Sequence, residues 1–283
     1  MNSVDLAASP VAPSFDASWA LGLTSSDLPV LPDVTERVLR MTGDPKSSLA
    51  ALADVLSKDA AMSAHVLRLA NSPLYRGREP IVSLHQAAAR LGTQKLRDVA
   101  ILVASESRLF RARGFEAEAR HAFQHGLLCG LWAQEIARRL RGPVEEAFLC
   151  GLLHDVGIPV LLQSACDRVA NAIEFRAEIL QVVDDAHAGI GADLVRAWRL
   201  PEHMAKALGE HHATTTSALA AIVVLADDLA DFCDNDVDDK AIVDRVLAHE
   251  ASAALNLYDD DVAGIVKLRE AITGTCAEMG GAT

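Results

Sequence analysis

Residues 148–159 read FLCGLLHDVGIP, and this stretch decides how the rest of the chain is read. An apolar run, Phe148 to Leu153, delivers His154 and Asp155 side by side. Gly157 and Pro159 then stop the helix, because Gly suits a C-cap and Pro cannot continue the hydrogen-bond ladder. The spacing places an imidazole and a carboxylate in the last turn of a buried helix. A carboxylate there faces the negative end of the helix dipole, at a cost of about 0.3–1 kcal/mol. A bound cation reverses the sign of that cost. The plainer reading is a hydrogen-bonded histidine beside a solvated aspartate, and the rest of the chain decides between the two.

The chain of 283 residues is 51% hydrophobic but only 4% aromatic, and it is rich in Ala and Leu. Long 3.6-residue periods without strand-like runs predict an all-α protein. The net charge of −13 argues against nucleic acid as a partner, since phosphate neutralisation needs clustered Lys and Arg. A small anion held by a metal or a local Arg is not excluded. Cys129, Cys150, Cys166, Cys233 and Cys276 are scattered and form no CxxC, which reads as reduced core thiols of a cytoplasmic protein. The N-terminus lacks the basic-then-apolar order of a signal peptide, and apolar runs such as Ala218–Ala226 fall short of the ~20 residues of a membrane span.

Residues 1–26 read as a mostly flexible leader in which Trp19, Leu21 and Leu23 dock on the body. Residues 27–113 read as an N-terminal lobe of short helices, with Asp33 and Ser47 or Ser48 as caps and breaks at Asn71–Pro73 and Gly92. This lobe shows no titratable cluster, so recognition suits it better than chemistry; His65 and His85 stand alone. Residues 114–232 form a second lobe. It opens on a long helix, Phe115–Leu140, with His121 and His125 four apart on one face. Asp184–His187 reads as the opening of a helix that runs to about Leu200. Another helix ends at Glu210–His212, and Ser217–Phe232 carries Asp227. Residues 233–283 read as an acidic loop, Asp234–Asp239, and two short helices, Ala241–Leu255 and Asp259–Ala277, packed on the domain.

The candidate ligands are therefore His125, His154, Asp155, His187, His211, His212 and Asp227, with His121 as an extra. Imidazole and carboxylate without thiolate suit iron, manganese or zinc better than magnesium or calcium. The set is large enough for two ions about 3.5–4 Å apart, the arrangement that activates water for phosphoester hydrolysis. His212 beside His211 also reads as a solvent-exposed residue, His121 as a surface one, and Asp228 as an alternative to Asp227.

In this order the motif H…HD…H…HH…D resembles the HD superfamily of metal-dependent phosphohydrolases. LPVLPDVTERVLRM (28–41), SLAALADVLSKDAAMSAHVLRLANSPLY (48–75) and SLHQAAARLGTQKLRDVAIL (83–102) resemble the first half of the HDOD domain. AHAGIGADLVRAWRLPEHMAKALGEHH (186–212) resembles its second half. The resemblance implies an HD-type helical fold in a bacterial signal-transduction protein. Its partner would be a signalling protein or a nucleotide second messenger, bound through the helical lobe, and a divalent metal site of one or two ions would be structural or sensing. HDOD domains are regulatory relatives of hydrolases, and many have lost metal ligands, whereas this chain keeps the pattern. His121 stands where the related HD-GYP phosphodiesterases offer an extra ligand. Those enzymes read HDxGK; here the word is HDVGI, with Ile158 in place of the phosphate-holding lysine, and the GYP motif is absent. Loss of such a cation costs orders of magnitude in rate, on the scale of phosphate-clamp deletions. Two readings follow: a regulatory binding module, or a metal-dependent phosphohydrolase of nucleotides or cyclic dinucleotides. In the second, Asp155 is the candidate catalytic residue beside metal-activated water.

Overall fold

The computed structural model describes residues 15–24, 27–109, 112–213, 217–233 and 237–280. It is all-α, with no strand among the described residues. The short helix α1 (Ser18–Leu21) lays Trp19 against Phe115, Leu161 and Leu162. The N-terminal lobe follows as α2 (Asp33–Thr42), α3 (Leu49–Leu56), α4 (Ala60–Asn71) and α5 (Leu84–Leu109). Ser48 caps α3 and Asp59 caps α4, each side chain accepting from a backbone N–H three residues on. Asp33 does not cap α2; Pro32 holds that place in extended backbone and Asp33 is the first helical residue, where its charge meets the positive dipole end. The expected break at Gly92 is a kink inside α5, at φ 76° and ψ 173°, which glycine adopts without a Cβ clash. The sequence predicts a helix from Gln94 to about Phe110; Phe110 itself lies outside the described residues.

The second lobe is α6 (Glu116–Arg139), α7 (Val144–Leu153), α8 (Gly157–Arg168), a 3-10 turn (Ala172–Phe175), α9 (Arg176–Ala197), α10 (Glu202–Gly209) and α11 (Ala218–Cys233). Two sequence expectations are corrected. Gly157 and Pro159 do not merely end α7; they sit in the first turn of α8, where a proline's missing N–H costs nothing. Asp184 does not open a helix, because α9 runs unbroken from Arg176, and Asp184 and Asp185 lie on its exposed face. Together α7 and α8 make the stretch Val144–Arg168, long and apolar enough to cross a membrane, against the expectation that no run is. Its apolar window is 83% buried inside the protein.

The tail forms four helices rather than two: α12 (Asp239–Ala248), α13 (Glu250–Ala254), α14 (Asp259–Val266) and α15 (Arg269–Gly280). Residues 234–236 of the acidic loop lie outside the described residues, and Asp238 caps α12. One apolar core joins α2 through α15, and a smaller one gathers around α1, α8 and α9. At the centre, α6 and α7 approach without side chains between them. A Cβ on Gly130 would meet the Phe148 carbonyl oxygen at 2.8 Å, and one on Gly151 would meet the Gly130 Cα at 2.8 Å. This seam brings His125 beside His154.

Candidate metal centre

Five segments supply the site. His125 projects from α6, His154 and Asp155 from the turn between α7 and α8, and His187 from α9. His211 and His212 follow α10, and Asp227 comes from α11. His154 keeps helical backbone angles, so its ring hangs from the end of α7. Its Nδ1 donates to the Gly151 carbonyl at 2.8 Å. His187 repeats the device toward Asp184 O at 2.7 Å, and His211 toward Leu208 O at 2.6 Å. A carbonyl only accepts, so each Nδ1 carries the hydrogen and each Nε2 turns to the centre. Backbone carbonyls that fix a histidine's tautomer in this way are the usual outer support of a metal ligand.

The centre is Asp155. Its Oδ2 lies 3.3 Å from His154 Nε2, and its Oδ1 lies 3.3 Å from His187 Nε2 and 3.6 Å from His211 Nε2. Asp227 Oδ1 stands 2.7 Å from His125 Nε2 and 3.3 Å from His154 Nε2. Two donor groups result, each with its ligand atoms within 4.8 Å of one another: His125, His154 and Asp155, and Asp155, His187, His211 and His212. Asp155 belongs to both.

Electrostatics follow from burial and pairing. Burial alone would lower the basicity of His154, but Asp155 outweighs it and holds the ring well above its ordinary value. Burial would raise Asp155, yet the facing His154, His211 and His187 hold it well below the usual carboxylate range. Burial lowers His212, helped by His211 and His187. His211 Nε2 is buried without a hydrogen-bond partner, and His187 Nε2 and His212 Nε2 face each other at 2.9 Å. An orphaned buried nitrogen and two imidazole nitrogens this close fit a divalent cation among them. The buried thiol of Cys129, beside His154, is pushed up to about 11, first by burial. It belongs to neither donor group, which leaves the donors as nitrogen and oxygen.

Seven of the sequence candidates converge. His121 does not: it is exposed, with its ring stacked 6.1 Å from that of His125 and outside both donor groups. Asp228 turns to His249, 4.0 Å away, so Asp227 is the residue that faces the site. Two contributors escaped the sequence reading. Asp231 stands 3.7 Å from His125 Nδ1, one helical turn after Asp227, a spacing that signals a shared face. Gly157 lets α8 pass α9 so closely that a Cβ would meet the His187 carbonyl oxygen at 2.0 Å. Nothing in the local sequence announces that contact.

A pocket of about 580 Å³ opens over the His125–Asp155–Asp227 side. Glu118, Asp184 and Asp231 add acidic groups to its wall; Leu180, Val183 and Ile158 make it apolar, and among the described residues no Lys or Arg lines it. A second cavity of about 390 Å³ exposes His211 and His212 beside His249 and Glu250 of the tail.

The HDOD domain profile matches residues 28–214. The chain belongs to the HDOD domain family. An HDOD domain protein of unknown function from Geobacter sulfurreducens shares the fold at a TM-score of 0.68. It is 23% identical, over 93% of this chain and 96% of that one. A Shewanella amazonensis protein titled "Putative phosphohydrolase" superposes at 0.70 with 24% identity, over 93% and 97%. An uncharacterized protein of Treponema pallidum (strain Nichols) is 24% identical over 196 residues, 66% of this HDOD chain. The matched segment spans only 38% of that curated relative's length. Asp227 lies beyond the profile match, on α11, yet completes the His125–His154 side of the centre.

Proposed function

We propose that this HDOD protein is a signal-transduction module that binds a partner or a nucleotide through its N-terminal helical lobe, with a His/Asp metal centre in a structural or sensing role. His125, His154, Asp155 and Asp227 would hold one ion, and Asp155, His187, His211 and His212 a second, with iron, manganese or zinc as the metal. The observation that carries the reading is the pocket wall, where carboxylates and Ile158 stand beside His121 and His125 and the described residues offer no Lys or Arg. A phosphoester anion entering there meets Asp184, Asp231 and a Glu118 already paired with Arg176, with no Lys or Arg among the described lining residues to hold its charge. Hydrolysis at a useful rate needs such a clamp in addition to the metal. The test is turnover by the metal-loaded protein on nucleotide and cyclic-dinucleotide phosphoesters. We expect rates far below ~1 s⁻¹, and enzyme-like turnover would overturn the reading.

The retained donor set favours a second reading, a metal-dependent phosphohydrolase. Three histidines are tautomer-fixed with Nε2 toward one carboxylate, a degree of preparation that a merely inherited fold does not need. A bound divalent ion would supply Lewis acidity and a lowered pKa for water. In that case Asp155 orients the centre and Asp227 holds the His125 ring. Catalysis that survives Asp155→Ala after the metal is lost would sink this second reading.

A further inference from the structure

A buried polar network joins the two lobes some way from the His/Asp centre. Lys95 of α5 is 8% exposed, and Asp98 and Gln134 are 1% exposed. The Lys95 ammonium donates to Asp98 Oδ2 at 2.9 Å and to Gln134 Oε1 on α6, and it stands 4.5 Å over the Phe148 ring of α7. Tyr75 donates its hydroxyl to the same Gln134 oxygen at 2.8 Å. Gln134 passes the chain on to Glu135 at 2.9 Å, and Glu135 accepts from Arg138. Burial alone would strip the Lys95 charge, but Asp98 outweighs it and raises the amine above its ordinary value. Asp98 Oδ1 is buried with no hydrogen-bond partner.

Such a cluster is a poor device for stability, since well-packed apolar residues do as well or better in the place of a buried ion pair. Its value lies in geometry. One ammonium touches three helices, and two of them, α6 and α7, carry His125 and His154. Those helices cross at the glycine seam, where a Cβ on Gly126 would meet the Leu152 carbonyl oxygen at 2.7 Å. The network holds the helix pair on the far side of that crossing. Gln134 lies about 14 Å along α6 from His125, at 1.5 Å per residue. A change in the angle between α6 and α7 at the network therefore swings His125 against His154. Helices α9 and α10, which carry His187 and precede His211, supply no member of it.

We infer that Lys95 and Gln134 are positioning residues through which the N-terminal lobe sets the His125–His154 half of the centre more strongly than the His187–His211 half, which it reaches only through the shared Asp155. Tyr75 gives the network a handle at the surface. The next residues, Arg76, Gly77 and Arg78, are exposed, so a molecule that grips this loop pulls on the hydrogen bond to Gln134. The inference rests on the proposed metal reading only for what the positioned histidines do.

The test is amide hydrogen exchange on the whole chain, comparing wild type with Lys95→Met/Asp98→Leu, a pair that leaves no uncompensated charge. We expect exchange to quicken about tenfold across residues 121–130 and 148–154, the size of losing roughly one buried hydrogen bond, with α9 and α10 within twofold. Tyr75→Phe keeps the core volume and removes one hydroxyl, so it gives the same pattern at about threefold even if the double variant folds poorly. Uniform quickening, or none in Tyr75→Phe, overturns the inference. Cobalt(II) titration followed by its visible absorption adds a second readout: the folded variant weakens one ion about tenfold and the other, which shares Asp155, by less than about threefold, whereas equal loss of both overturns the inference. A wild type that takes up no cobalt refutes the metal reading itself, and the exchange pattern still decides the positioning.

Discussion

Asp155 carries the whole centre, because its two oxygens serve different halves. Asp155→Ala is expected to reduce bound metal at both halves at least tenfold, read by elemental analysis of untagged protein. Loss of one ion only would show that the halves do not share it. The same residue sets the pH response. In the metal-free protein its lowered pKa contributes stability above 3.8 that is lost as pH falls through the folded value. The raised pKa of His154 contributes stability below 6.5 that is lost as pH rises through the folded value. Metal-free protein is therefore most stable between those ordinary values, which urea titrations across pH will show. Loading a cation demands the reverse, because the proton on His154 has to leave. Metal uptake at neutral pH releases protons and weakens with acid. Calorimetry in two buffers of different ionisation heat measures this directly, and equal heats in both would contradict it.

At the scale of helices, close passage matters more than side-chain interlocking. Gly157→Ala forces a methyl into the His187 carbonyl, which has no flexible end to yield. We expect a stability loss of about 1–3 kcal/mol in urea unfolding together with weakened metal binding. An unchanged midpoint would mean that α8 and α9 slide apart at no cost. The helices themselves are largely legible: apolar periods mark α3, α4, α6 and α11, and Ser48 is one of the two serines expected to cap α3, whereas the Asp59 cap of α4 is seen only in the structure. The errors share a cause. Asp184, Gly157 and Pro159 carry local signals for boundaries, but tertiary packing keeps α9 continuous and uses Gly157 and Pro159 to begin a helix. The convergence of His125, His154, Asp155 and Asp227 was legible because each stands in a motif of known order. The Lys95 network was not, since a lysine in an amphipathic helix reads as surface until its partners on α6 are seen.

Across the whole molecule the charge is divided unevenly. Residues 27–113 hold 13 basic and nine acidic side chains, while the full chain stands at −13. The N-terminal lobe is thus the cationic end of an acidic protein, which suits the recognition role assigned to it. At the other end of the core, Trp19 ties the N-terminal helix down at 7% exposure. Trp19→Ala is predicted to cost about 3 kcal/mol by urea titration. A loss below ~0.5 kcal/mol would show that the docking contributes little. The buried pair α7–α8 has a consequence during synthesis. α7 can pack on α6, which is translated before it, whereas α8 awaits α9 and the outer face of α7 awaits α10 and α11. At roughly 5–20 residues per second, a nascent chain presents a segment of membrane-spanning length for several seconds before Cys233 emerges. Over that interval the uncovered apolar faces are open to chaperones, and the yield in a cell depends on how soon the later helices close over them.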